Sequence, residues 1–380
     1  MNPLSNDPPE SPDPAGEAPP VANPESHDHT GYDLEAGLLA RVREWNDVLP
    51  WLRLGRTLRV AASLPLLFLV AMTFALWCAG NVIIAGDNAT LERLVTPRAA
   101  VAYSGTDIQR HTVNTIGQYA KQMIPTTIFE PLANDDGLWR TIAAILWALV
   151  IWMPATLMLL RQGALLTAGR NMTAYVPGLT HAAQTSPLAW LMAVVPLGCV
   201  VVIALGILLV GWMSQLGVWL EVPLAIVAAL IALPCGILAF GANFAVPLGW
   251  AALANEKDPD ALDSLSRGYE YVYRRPLQLT FYFFITMVLL LVVIFFANGV
   301  AIAATYVSQA MLQTTGASLR VQQTSRGVLQ LLPTIVALTL FWSLVGGVYL
   351  LLRRDAGGQE VEDIWQPPPQ TVEPLPKLPS

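Results

Sequence analysis

Residues 277–304 read LQLTFYFFITMVLLLVVIFFANGVAIAA, a stretch without a single Asp, Glu, Lys or Arg. A helix of roughly 20 apolar residues crosses the hydrocarbon core of a bilayer, and inside that core every backbone N–H and C=O must be paired within the segment. This stretch is long enough to do so. Five others qualify, at about residues 58–84, 138–160, 188–210, 218–244 and 328–352. The predicted fold is therefore all-α, a polytopic bundle of six transmembrane helices. Prolines fall inside several windows (Pro65, Pro154, Pro196, Pro234, Pro333) and read as kinks, which neighbouring membrane helices tolerate.

Immediately upstream, residues 260–276 read DALDSLSRGYEYVYRRP, a polar insert between two oily segments. Asp258 followed by Pro259 is a helix start, since a carboxylate caps free N–H groups and proline at the first position gives up no hydrogen bond. Leu262, Leu265, Tyr269 and Val272 then recur at helical spacing as an apolar stripe. Asp263 with Arg267, and Glu270 with Arg274, are acid-to-base pairs four residues apart in the favourable order. Arg275 precedes Pro276, and the residue before a proline avoids helical geometry, so the helix stops there and Pro276 opens the fifth span. The expectation is an amphipathic helix at the membrane surface, with Arg274 and Arg275 reaching lipid phosphates and Tyr269, Tyr271 and Tyr273 at the headgroup level. A soluble partner is the other use such a surface has.

The rest of the composition agrees. The chain has 380 residues, 54% hydrophobic and 13% charged, with mean hydropathy +0.51, and its net charge of −6 resides in tails and loops. No basic run suggests nucleic acid. Residues 1–31 are rich in Pro, acidic and small residues and carry no secretory leader pattern; residues 353–380 have a similar character, so both read as disordered tails. Residues 32–57 place Leu38, Val42, Trp45 and Leu49 on one face, an interfacial anchor helix ended by Pro50. The membrane domain covers 58–352, with an outer loop at 86–137, itself carrying a helix, and elbows at 161–187 and 245–276.

Positive charge orients it. Arg41, Arg43, Arg53, Arg56, Arg59, Arg161, Arg170, Lys257, Arg267, Arg274, Arg275, Arg353, Arg354 and Lys377 fall on one side; Arg93, Arg98, Arg110, Lys121, Arg140, Arg320 and Arg326 fall on the other. Cytoplasmic flanks carry the excess, which predicts that both termini lie in the cytoplasm.

PLGWAALANEKDPDALDSLSRGYEYVYRRPLQL (247–279) resembles the signature of a bacterial family of multi-pass inner-membrane proteins of uncharacterised activity. In that family a "PL-W" helix end precedes an acidic "DALSR", a "YVY" and an "RP" entering the next span. The matching residues are Asp260, Ala261, Leu262, Ser266, Arg267, Tyr271, Val272, Tyr273, Arg275 and Pro276. The resemblance extends over about residues 33–352, implies the topology and supplies no catalytic residue. After the second span, residues 159–190 repeat the order of helix end, polar linker, short helix and proline-led span, with Pro187 in the place of Pro276, as an internal duplication would.

Chemical groups are scarce. His27 and His29 lie in the tail, and His111 and His181 fall on opposite sides of the bilayer. Glu256, Asp258, Asp260 and Asp263 lack the central glycine of a calcium loop, and Cys78, Cys199 and Cys235 sit singly in apolar windows. No metal site, cofactor site or catalytic residue is expected. Asn81, Asn243 and Asn298 are the polar intramembrane candidates, more often helix-to-helix contacts than ligands. The reading that follows is a non-enzymatic membrane scaffold or assembly component, contacting lipid and, through its surface helices and proline-rich tails, proteins. A permease-like subunit for a neutral or apolar substrate is the alternative, and a lipid-acting enzyme using Asp258, Asp260 and His181 is a third.

Overall fold

The computed structural model describes residues 48–85, 138–257, 260–357 and 360–365. The anchor helix predicted before Pro50, the outer loop and residues 366–380 lie outside them. Pro50–Ala62 is a 3-10 segment, followed by α1 (Leu64–Ala85), α2 (Leu138–Thr167), α3 (Tyr175–Ser214), α4 (Val218–Asn255), α5 (Ala261–Arg274), α6 (Pro276–Thr314), α7 (Leu319–Gln330) and α8 (Leu332–Gly357). Among the described residues, six spans are long and apolar enough to cross a membrane. The protein is an all-α, multi-pass integral membrane protein.

The longest helices exceed the thickness of a bilayer. α3, α4 and α6 have 40, 38 and 39 residues, about 60 Å each at 1.5 Å per residue, twice the roughly 30 Å of hydrocarbon. On α4 the surplus lies at one end. Trp212 and Trp219, both exposed, flank the α3–α4 turn, as indoles do at an interface. From Trp219 to Leu238 the helix rises about 29 Å, and beyond that level α4 becomes buried: Ala245, Leu248, Ala251, Ala252, Leu253 and Asn255 are covered by protein. Below it, Leu205, Leu208, Leu230, Leu233, Phe284 and Phe296 stand exposed on α3, α4 and α6, an apolar surface that lipid solvates.

α8 is the central element. Leu340, Leu344 and Tyr349 are fully buried on it, and it packs on α2, α6 and the 3-10 segment. Close approach is made by small residues: a Cβ on Gly163 of α2 would overlap the backbone of Ser343, and one on Gly346 of α8 would overlap that of Leu160. Without a hydrophobic force between helices in lipid, such backbone-to-backbone packing supplies the cohesion. Indole N–H groups tie the layers together, Trp190 to the Leu149 carbonyl at 3.1 Å and Trp250 to that of Ala189 at 3.0 Å.

Several boundaries differ from the sequence reading. Pro50 begins a helical segment, as proline at a first position does, and that segment buries Arg53, Leu54, Thr57 and Val60. The first span starts at Leu64, after extended Ser63. Pro65 and Pro333 occupy the first turns of α1 and α8 and produce no mid-helix kink, whereas Pro154, Pro196 and Pro234 are internal. The matched elbows do not appear. α2 closes at Thr167 with Gly169 at φ 75°, its N–H on Leu166 and the Arg170 N–H on Leu165, and α3 then runs unbroken from Tyr175 through Pro187. Only the second elbow contains a separate helix.

Candidate functional site

Polar chemistry gathers at the end of the bundle where α4 leaves the bilayer. α5 is capped by Asp260, whose Oδ1 accepts the Leu262 N–H at 2.9 Å. Asp258 and Pro259, the predicted start, lie outside the described residues. The buried face is Ala261, Ser264, Leu265, Gly268, Tyr271 and Val272, so the predicted stripe is corrected at two positions. Leu262 points outward, 57% exposed, and Tyr269 is half-buried. The cause is proximity: a Cβ on Gly268 would overlap the Ala245 backbone, and the small residues of α5 must face α4 to allow that crossing.

The three tyrosines separate. Tyr269 and Tyr273 stack with rings 6.1 Å apart and donate to the carbonyls of Leu238 (3.1 Å) and Ile237 (2.6 Å) on α4. Gly241 exposes that backbone, since a Cβ there would strike both rings. Their hydroxyls stand one hydrocarbon thickness from Trp219. Tyr271 is buried against Tyr349. Burial, then the neighbouring Tyr273, pushes the Tyr269 phenol up to about 12; burial also raises Tyr271, against the pull of Arg267.

Both expected ion pairs form, Arg267 to Asp263 at 2.7 Å and Arg274 to Glu270 at 2.5 Å. Arg267 also grips Glu256, and Glu256 accepts the hydroxyl of fully buried Tyr349 at 3.0 Å. Burial pulls the Arg267 guanidinium down, but the Glu256 and Asp263 carboxylates outweigh it and hold the group above its ordinary value. The interhelical reach of Glu256 had no periodic signal, because that residue sits in a connection. Arg275 contacts Gln278 at 3.4 Å, and Pro276 is the first residue of α6.

A second cluster lies where sequence reading placed only topological charges and a tail. After α8, residues 360–365 (EVEDIW) return onto the bundle, with Val361 and Ile364 buried. The tail predicted from residue 353 thus begins as helix, and then as a packed strap. Four arginines meet it. Arg53 pairs with the Glu362 carboxylate at 3.5 Å, and Arg170 donates to the Glu362 carbonyl at 3.5 Å. Arg353 donates to the carbonyls of Asp363 and Glu360. Arg161 donates to the Ala254 carbonyl at 2.8 Å and the Trp365 carbonyl at 3.4 Å, and lies 5.3 Å from the Trp365 ring centre. His181 packs on the same indole, 5.8 Å between rings. The available signal was Val361, Ile364 and Trp365 at helical spacing among prolines and acids.

The remaining candidates are dispersed. Asn243 donates to its own helix at Ala239, Asn81 is half-buried on α1, and Asn298 is buried on α6. An open cleft of about 820 Å³ between α6 and α7 is lined by Val300, Ala303, Val307, Ser308, Ser325 and Leu329 among others, and by none of the three asparagines. Asp260 is engaged as a helix cap and His181 against Trp365, and no group of three His, Cys, Asp or Glu side chains converges among the described residues. The two clusters gather guanidinium groups on carbonyls and carboxylates and present a polar surface. In comparisons with known proteins, the chain matches no family model, no curated protein and no solved structure.

Proposed function

We propose that this protein is a membrane scaffold or assembly component, one that holds a platform outside the bilayer for protein partners. In this reading the platform faces the cytoplasm of a bacterial cell whose inner membrane the chain spans, both termini lie on that side, and its role is binding rather than chemistry. The observation that carries it is α5. Its inner face is locked to α4 and α8 through Gly268, Tyr269, Tyr273 and the Arg267–Glu256–Tyr349 set. Its outer face presents Leu262, Asp263, Glu270 and Arg274. A rigidly mounted outer face has its ordering cost already met before a partner arrives, which favours association.

The full chain isolated in mild detergent is expected to carry a defined protein partner in fixed ratio. Leu262→Glu, at an exposed position, should release that partner while the protein stays folded. Recovery of the chain alone from both preparations overturns the scaffold reading.

A further inference from the structure

We infer that the four arginines beneath residues 360–365 form a site for an anionic phosphate group, carried by an acidic phospholipid or by a soluble ligand, and that the strap is a displaceable cover over it. Arg161 is 4% exposed and Arg353 9%. Among the described residues neither has a carboxylate within ion-pair distance. Both give their N–H groups to neutral carbonyls, and the Arg353 Nε, buried, has no acceptor. Guanidinium is the side chain best matched to phosphate, which it binds through paired, charge-assisted hydrogen bonds. Buried guanidinium groups served by carbonyls alone are under-compensated, and a phosphate would satisfy them better than the strap does.

An acidic lipid headgroup and a soluble phosphate ester share this chemistry, and experiment separates the two sources. The cover is weakly held. Among the described residues its ion pair is Arg53 with Glu362, whose carboxylate is half open to solvent, so the pair contributes little. Burial of Val361 and Ile364 is of the same order as the entropy lost in ordering the segment. The inference stands apart from any protein partner at α5.

The test is hydrogen exchange at the amides of residues 360–365 in the full chain, held in nanodiscs of phosphatidylcholine, of phosphatidylcholine doped with phosphatidylglycerol, or of phosphatidylcholine with added inorganic phosphate. Phosphatidylglycerol is expected to speed exchange about tenfold, the scale of one lost charge-assisted hydrogen bond. A response to inorganic phosphate instead supports the site and identifies its source as soluble. No response to either overturns the site. Arg353→Gln should abolish the response, and Arg59→Gln, exposed on the same segment as Arg53, should keep it; equal loss in both would mean unspecific charge and sink the proposal. Ile364→Ser leaves every arginine in place. It should raise the phosphatidylglycerol retained in native mass spectra, and unchanged retention rules out competition by the strap.

Discussion

At Gly268 a hydrogen in place of a side chain decides how near α5 lies to α4, because the Ala245 backbone occupies the space a Cβ would take. Gly268→Val is expected to lower stability by about 1–3 kcal/mol through overpacking, read as a reduced midpoint of thermal unfolding in detergent. Glu256 acts differently, since it accepts from both Arg267 and Tyr349. Glu256→Ala strands the Tyr349 hydroxyl in a buried site, at about 1–3 kcal/mol. Glu256→Gln keeps an acceptor there and should lose clearly less by the same measurement; equal losses would show that the phenol contributes nothing. At this scale the sequence was half legible. Asp263 with Arg267 and Glu270 with Arg274 follow from spacing on one helix, whereas Glu256 reaches residues distant in the chain, which no local pattern encodes.

Elements were read more accurately in kind than in register. The existence of α5 was plain from its composition, but its stripe was assigned by apolarity, and the helix turned to bury Ala261, Ser264 and Gly268. Where helices meet backbone to backbone, smallness outranks hydrophobicity. Two leucines on this helix separate the rules. Leu262→Ser, on the exposed side, should change stability by less than about 0.5 kcal/mol, and Leu265→Ser, buried at 6% exposure, should cost about 2–4 kcal/mol. Unfolding midpoints that fall equally for the two would return α5 to the orientation its apolar residues suggested. The same reasoning explains the strap. Three apolar side chains in six residues are too few to stand out from a proline-rich tail until the arginines of three separate segments are brought around them.

For the whole molecule, hydropathy revealed the six crossings because the bilayer, as solvent, leaves little choice about what may face it. It did not reveal the asymmetry between the ends. Among the described residues, one end has short turns at Gln215 and Gly316, whereas at the other α4, α5, α8 and the strap pack into a layer of buried protein. That asymmetry gives the topology a direct check. With Cys78, Cys199 and Cys235 replaced by alanine, single cysteines at Gln215, Lys257 and Thr315, all exposed, are offered a membrane-impermeant maleimide in intact cells and in inverted vesicles. Gln215 and Thr315 close the helices that run away from the arginine-rich end, and Lys257 follows α4 on its return to that end. Gln215 and Thr315 should therefore label in cells and Lys257 only in inverted vesicles, as the excess of arginine around α5 requires. The reverse pattern would keep the bundle and invert its orientation, moving the platform and the strap to the outer face. Labelling of Gln215 and Lys257 from the same side would mean that α4 does not cross, and the reading of six spans would fail with it.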